Sequence, residues 1–361
     1  MNRLRLPADC NTVARLFRHT AAARDTGVAL MHKDFGVWQP IRWCDYAEHA
    51  RHIGLGHADL GLKSQEVVAI LAETIPEWLF TDMGIQGGGA VSVGLYPTSS
   101  AAQVAYIVND SGARFIFVED EEQLDKVLEH RNDMPRLERV IVYDMAGLKR
   151  FSDPLVLSYQ ELLVRGQQRS AQSPGEWDQR IDATRPTDRA ILVYTSGTTG
   201  PPKGAILSHA NLIFAIDRWG DMAPTHEGDD TLAFLPLCHM AERMMTAMRP
   251  LAYGGVVHFA ESPETVLENL REVSPTVFFA VPRIWEKLHS LITMSLQDAT
   301  PLQRALYRRA SAIAHAVADR KMTGQPVPPG LALLRAMAEI GVLRNTKRLL
   351  GLDRARLIGS G

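Results

Sequence analysis

The sequence predicts an α/β fold organised around mainly parallel sheets. Short β-branched runs alternate with stretches of helical spacing between residues 66 and 143, and the same rhythm resumes at residue 190. Strand–helix–strand units of this length need crossover helices, which places helices on both faces of a parallel sheet. No repeat of 20–50 residues and no low-complexity tract interrupts the pattern, so a solenoid is excluded.

The elements follow in order. "EVVAILAET" (66–74) reads as a strand, and "PEWLFTDMGIQGGG" as a helix ended by glycine. "AVSVGLY" is the next strand, and "SSAAQVAYIVNDSG" a helix with serine at its start and glycine at its end. "ARFIFVED", the helical "EEQLDKVLEHR" and "RVIVYD" continue the series. Between Val164 and Asp188 the chain turns polar, which marks either a subdomain boundary or a long surface loop. The expected division is a first subdomain over 1–185 and a second over 186–361.

The second series opens with "AILVY" (190–194) and runs through "TLAFLPL", "HMAERMMTAMRPLAYGG", "VVHFA", "ETVLENLREV" and "TVFFA". From about Pro282 the strands stop. Three helical segments follow, split by the turn "GQPVPPG", before "RARLIGSG" closes the chain as a short strand entering a small-residue loop. Ligands of open α/β sheets bind at the carboxyl ends of strands, so a chain that stops there is expected to leave a binding edge unfinished.

Composition narrows the class. A chain of 361 residues suggests two units of roughly 150–200 residues each. With 46% hydrophobic and 22% charged residues it is an ordinary globular composition, and a net charge of −2 gives no reason to expect nucleic acid. No apolar run reaches the roughly 18–20 residues of a membrane span. The basic start "MNRLRLPADC" lacks the apolar core of a secretory signal. Cys10, Cys44 and Cys238 are far apart, without metal-like spacing, and read as reduced thiols of a cytoplasmic protein, Cys238 as a plain small apolar residue. Residues 301–361 hold eleven Lys/Arg against three Asp/Glu, a local +8 that leaves −10 on residues 1–300. That excess is either a solvated helix face or a surface for acidic ligands or membrane headgroups.

One segment carries chemistry. "YTSGTTGPPKG" (194–204) follows a strand and puts Thr195, Ser196, Gly197, Thr198, Thr199 and Gly200 in a row, with Lys203 three residues on. Glycines admit close backbone approach and the hydroxyls add donors, so the loop is suited to phosphate oxygens, with Lys203 as a mobile point charge. Ser208 is placed to cap the helix that begins near His209. The spacing is neither the nucleotide P-loop nor the dinucleotide turn.

This loop resembles the signature of the adenylate-forming superfamily. "LPLCHMAERMM" (235–245) and "VPRIWEKLHS" (281–290) resemble its long-chain fatty acyl-CoA synthetase branch. The resemblance spans essentially the whole chain. It implies two stacked, doubly wound subdomains with a helical insertion over about 283–356, and no C-terminal lid. It also implies a reaction in which ATP and a fatty acid give an acyl-adenylate and pyrophosphate, after which coenzyme A takes the acyl group. ATP, Mg²⁺ and coenzyme A are the implied cofactors. His239 is the implied residue beside the acyl and adenylate groups. Arg243 stands where some relatives carry an aromatic gate, and at four residues from His239 it is expected on the same helix face as a second substrate contact. Glu242 is expected to partner a nearby base, and Arg283 and Trp285 to be structural. Gly359, Ser360 and Gly361 match the opening of the adenine loop. No protein metal ligand is assigned. The basic insertion fits transient contact with an anionic membrane that presents fatty acids, which would make the protein peripheral.

The Tyr-Gly-x-Thr-Glu and Thr-Gly-Asp motifs of the family and its adenylating lysine are not found before Gly361. Two readings follow from the resemblance. Either this is the larger N-terminal part of a long-chain fatty acid–CoA ligase, with little activity alone, or it is a naturally short, noncatalytic protein that binds nucleotide or acyl ligands, or docks to a partner chain. A ligase that hands acyl-AMP to a carrier protein would share the same motifs.

Overall fold

A computed structural model describes residues 6–195, 200–223 and 225–361. The chain is α/β with two mainly parallel sheets. It divides into two compact units, Met1–Gly228 with Ala233–Ala260, and Asp229–Leu232 with Glu261–Gly361. Among the described residues the strands are β1 (Val28–Asp34), β2 (Val37–Arg42), β3 (Val67–Leu71), β4 (Val91–Leu95), β5 (Ala113–Val118), β6 (Arg139–Val142) and β7 (Val156–Ser158). They continue with β8 (Arg189–Thr195), β9 (Lys203–Ser208), β10 (Asp230–Ala233), β11 (Val256–Phe259), β12 (Val277–Ala280) and β13 (Leu357–Ser360).

The first unit holds a seven-stranded sheet in the order β7-β6-β5-β3-β4-β8-β9. Its pairs are parallel except the β8–β9 hairpin. Every residue of β3 and β4 is buried, as expected of parallel strands covered on both faces. The crossover helices match the sequence reading. Pro76–Gly87 starts on a proline, whose missing N–H costs nothing there. Ala101–Ser111 starts on a Ser100–Gln103 capping box and ends on left-handed Gly112.

Two expectations are corrected here. Strands β8 and β9 extend the sheet that β3–β7 began, so a boundary after residue 185 would cut through one sheet. The polar stretch from 164 to 188 is not an irregular loop. It carries most of the helix Tyr159–Gln172 and all of Glu176–Ala183. The first is capped by Ser158 with Glu161, and each helix buries only a few residues, Leu162 and Gly166 in the first, Trp177 and Ile181 in the second. A sparse apolar stripe on a polar helix looks like loop composition. Packing shows what makes it work: a Cβ on Gly166 would lie 1.7 Å from the His52 carbonyl oxygen, and one on Gly87 2.1 Å from the Trp177 ring. Only glycine lets these helices approach so closely.

The sequence rhythm leaves residues before 66 unread. They form the helix Val13–Arg24, the β1–β2 hairpin and the helix Trp43–Asp59, with β1 parallel to β11.

In the second unit β12 pairs in parallel with β10 and β13. Thr276 ties the start of these strands together: its hydroxyl donates to Asp229 Oδ1 at 2.9 Å and its N–H to Asp230 Oδ1 at 2.7 Å. Trp285 Nε1 donates to the Ala280 carbonyl, and its ring stands edge-on to Phe278, so its structural role is as expected. Helices Pro282–Gln297, Pro301–Met322, Pro329–Ala338 and Arg344–Leu350 follow. No residue of Pro329–Ala338 is buried.

Candidate active site

Strands β4 and β8 are parallel neighbours that end at Leu95 and Thr195. Beyond these carboxyl ends lies a cleft of about 460 Å³, the place and size expected of a small-molecule site in a parallel sheet. Tyr96, Thr98 and Ser99 line it from the segment after β4, and Gln103 and Ile107 from the helix Ala101–Ser111. Val193, Tyr194 and Thr195 contribute from β8, Pro202 from the hairpin, and Cys238, His239 and Met240 from the segment after β10. Hydroxyl, amide and imidazole groups therefore share one cleft with Ile107, Val193 and Met240.

The hairpin sets the geometry of the glycine-rich segment. Thr195 stands opposite Lys203 at its mouth, and Lys203 is exposed. Gly200 has φ +88°, a conformation that side chains resist. Ser196, Gly197, Thr198 and Thr199 lie outside the described residues. Two tyrosines latch the hairpin to the helix Ala101–Ser111. Tyr106 donates its hydroxyl to the Pro202 carbonyl at 3.0 Å, and Tyr194 donates to Asp110 Oδ2 at 2.6 Å. Burial and the Asp110 carboxylate push the Tyr194 phenol well above its ordinary value. Gly204 is needed behind it, since a Cβ there would sit 2.9 Å from Tyr194 Cζ. Ser208 caps the next helix as expected, accepting from the Asn211 N–H.

His239 and Arg243 do not share a face. His239 is the cap, not a helical residue, with extended backbone at φ −81° and ψ 130°. Its Nδ1 accepts the Ala241 N–H at 3.3 Å, which places the proton of the neutral ring on Nε2. Its side chain is exposed at the cleft. Arg243 is 1% exposed and does not line the cleft. Its Nε donates to Asp82 Oδ2 at 3.1 Å, and the end of its guanidinium bonds Asp82 and Ser92. Ser92 Oγ and Gln86 Nε2 also donate to Asp82, and the guanidinium lies 5.0 Å from the centre of the Trp78 ring. Its Nε and one terminal nitrogen are committed to Asp82 on the helix Pro76–Gly87 and to Ser92 on β4. The expected substrate contact is instead a buried anchor, because a charge this deep must be fully paired.

Glu242 is also corrected. Among the described residues it pairs with no base: it accepts from the Thr246 hydroxyl at 2.6 Å, and burial raises its carboxyl to about 8. Cys238 touches the cleft, but burial pushes its thiol up to about 12, which suits a small apolar wall and not a nucleophile. Gly94 of β4 is its seat, since a Cβ there would lie 2.8 Å from Cys238 Cα and Cβ. The sequence left a weak signal for the missed lining residues: "YPTSS" clusters small hydroxyl side chains directly after a strand.

In the second unit Gly359 and Ser360 sit on β13, in register with Phe279 and Ala280. A Cβ on Gly359 or Gly361 would approach the Phe279 ring to 2.8 Å. Among the described residues no group of three or more His, Cys, Asp and Glu side chains could hold a metal ion, so they offer no site of that kind for Mg²⁺. A second cleft of about 580 Å³ lies at the opposite, amino ends of β3, β5, β6 and β8. Arg114 bridges Glu66 and Glu138 there, and among the described residues that cleft holds none of the glycine-rich segment.

A crevice at the carboxyl ends of a parallel sheet, with Thr195 and Pro202 of the β8–β9 hairpin in its wall, is a small-molecule site of the α/β class. The chain belongs to the AMP-binding enzyme family, which it matches over residues 17–343. It is 31% identical to long-chain-fatty-acid–CoA ligase ACSBG2 of Xenopus laevis over 95% of this chain and 46% of that protein. ACSBG2 of Homo sapiens is 30% identical over 97% of this chain and 52% of its own length. The chain thus spans about half the length of these curated relatives. Among solved structures, the adenylation domain of a carboxylate reductase from Mycobacterium chelonae superposes with a TM-score of 0.68 at 20% identity, over 99% of this chain and 56% of that one. The anthranilate CoA ligase AuaEII in complex with anthranoyl-AMP gives 0.65 at 23%, over 78% and 52%. These two likenesses establish the shared fold.

Proposed function

We propose that this chain is the carboxylate-activating part of a long-chain fatty acid–CoA ligase. The observation that carries the reading is the carboxyl-end cleft, which joins Thr195 of the glycine-rich hairpin to His239 and to the apolar Ile107, Val193 and Met240. A fatty acid carboxylate oxygen attacks the α-phosphorus of ATP, the bond to the β-phosphate oxygen breaks, and pyrophosphate leaves with the electron pair. Coenzyme A sulfur then attacks the acyl carbon and AMP departs. The first step needs no protein nucleophile; it needs positioning and donors for charge on phosphate. We assign donors to Thr195, Ser196, Gly197, Thr198, Thr199 and Gly200, and a point charge to Lys203. His239, with Nδ1 occupied by its own helix cap, offers Nε2–H to a carboxylate or phosphoryl oxygen. Gly359, Ser360 and Gly361 are proposed to meet adenine. Mg²⁺ would screen the charge of the β- and γ-phosphates beside this loop.

The test is carboxylate-dependent exchange of labelled pyrophosphate into ATP by the 361-residue chain, with acetate, octanoate and palmitate in parallel. Palmitate-selective exchange, reduced about 10- to 100-fold by His239→Ala, supports the reading. Exchange with acetate alone would remove the long-chain assignment. A folded chain that binds neither ATP nor an acyl-AMP analogue would remove the site. Because the chain spans about half of its relatives, we expect little net thioester from it alone. Binding of nucleotide with no exchange would favour the noncatalytic alternative.

A further inference from the structure

His239 reaches the cleft on the segment 234–239, and that segment is closed from behind by an acid that the adenylation scheme leaves unused. Glu242 is 2% exposed and does not line the cleft. Its carboxyl accepts the Thr246 hydroxyl at 2.6 Å and also bonds the backbone N–H of Phe234. Phe234 is the first residue after β10, and Thr246 stands four residues beyond Glu242 in the helix. One carboxyl therefore joins the start of the segment to the helix into which it runs. Between those two ties lie Cys238, His239 and Met240, the three residues that this stretch gives to the cleft.

The segment has other fastenings. Thr74 donates its hydroxyl to the Leu235 carbonyl at 2.6 Å, and the His239 N–H closes a turn on the Pro236 carbonyl at 2.9 Å. Arg243, the residue after Glu242, ties the helix to Asp82 and Ser92. None of these three joins the strand end to the helix. The helix is also wound unusually: Arg243–Met248 is a π-helix, with the Arg249 N–H reaching back to the Met244 carbonyl. Such wide turns are rare and are found frequently at functional sites. This one begins directly after Glu242, three residues from the imidazole.

Chemistry separates a filler from a positioning group. An apolar side chain fills buried space better than an acid does. Glu242 instead commits its oxygens to two donors from two segments. Burial raises the carboxyl to about 8, so near neutral pH it is an uncharged bridge that needs no base. Without it the Phe234 N–H loses its partner and the start of the segment is released. The His239 cap on the Ala241 N–H, at 3.3 Å, is the longest bond of this set and the first to yield.

We propose that Glu242 is a positioning residue for His239: by clamping the Phe234 amide to the Thr246 hydroxyl it fixes the segment 234–239, and so holds the imidazole Nε2–H in place for a carboxylate or phosphoryl oxygen. Glu242 acts through the ring and touches no substrate. The assignment rests on the role in carboxylate activation proposed above for His239.

The experiment compares Glu242→Leu, Glu242→Gln and Thr246→Val with the native chain by two readouts. The first is the neutral His239 ring, followed by nitrogen NMR of labelled histidine and picked out among the twelve histidines by its loss in His239→Ala. The native ring is expected as the single Nε2–H tautomer. Glu242→Leu should give a mixture of tautomers, and Thr246→Val should shift the signal less but in the same direction. Glu242→Gln, whose amide oxygen accepts the same two donors, should keep the native signal. The second readout is palmitate-dependent exchange of pyrophosphate into ATP. Glu242→Leu should lower its kcat about 10- to 100-fold with little change in KM for ATP, and Glu242→Gln should return it to within about threefold. In a His239→Ala background Glu242→Leu should add less than about twofold, since it acts through that ring. A native-like His239 signal in folded Glu242→Leu, or losses that add fully to those of His239→Ala, overturns the proposal. If Glu242→Leu does not fold, Thr246→Val decides by the same signal. If the native chain exchanges no pyrophosphate with any acid, the proposed activity fails, while the imidazole signal still decides the role of Glu242.

Discussion

Leu79 and Leu333 sit on helices of similar length, Pro76–Gly87 and Pro329–Ala338, and both helices begin on proline. Leu79 is 1% exposed and Leu333 64%. The first helix lies between β-sheet and neighbouring helices and buries eleven of its residues, polar Thr81, Asp82 and Gln86 included. The second buries none. Identical residue types thus serve as core in one region and as surface in the other. What separates them is whether a second layer exists to receive the face, and only where it does can a full charge such as Arg243 be taken inside.

The largest effect should come from breaking the buried pair. Asp82→Asn leaves the Arg243 guanidinium without its counter-ion and should cost about 3–5 kcal/mol in denaturant unfolding. A change below about 1 kcal/mol would mean that water reaches the pair, and would weaken the contrast. Leu79→Ala should follow at about 2–5 kcal/mol, because a sealed site collapses little around a lost side chain.

Next comes a pH effect. The Glu242 carboxyl titrates near 8 in the folded chain against an ordinary 4.5, because burial disfavours its charged form. Its folded value is raised, so its contribution is whole below pH 4.5 and is lost as pH climbs through about 8. The slope is at most about 1.4 kcal/mol per pH unit. Glu242→Gln keeps the neutral shape and removes the slope, so the variant should gain on the native chain between those limits. Parallel stability curves from pH 5 to 8 would sink this assignment.

Tyr106→Phe should cost about 1 kcal/mol or less in global stability. Its signature is local: faster amide exchange at 200–204 and weaker ATP-analogue binding, while the rest of the sheet keeps its protection. Uniform loss of protection would make Tyr106 an ordinary core residue. Leu333→Ala should do least, within about 0.5 kcal/mol. A cost comparable with Leu79→Ala would show that the exposed stripe has a partner within the chain in solution, and would end the comparison.

Much of the fold is legible in the order of the residues. The alternation from residue 66 to 143 locates β3 to β6 and their crossover helices, since covered parallel strands must be short and apolar. The glycine-rich segment stands out because eleven residues with so little bulk have no packing use. His239 is legible from its motif, but its state is not. Spacing alone puts it on a helix face with Arg243, whereas the helix starts one residue later and the two side chains part, one to the cleft and one to Asp82. The polar helices between 159 and 183 escape a sequence reading because their fit rests on the glycines at 54, 56, 87 and 166, most of which come from other parts of the chain.

The sequence by itself determined the class of fold, the glycine-rich composition of residues 194–204 and the basic character of residues 301–361, because periodicity, glycine content and charge are local properties. The tertiary structure alone decided that β8 and β9 join the sheet of β3–β7, that Tyr106 and Tyr194 hold the hairpin, that Arg243 is an anchor and that Leu333 faces outward. Each of those outcomes depends on which distant segment arrives to pair, cover or hydrogen-bond a side chain.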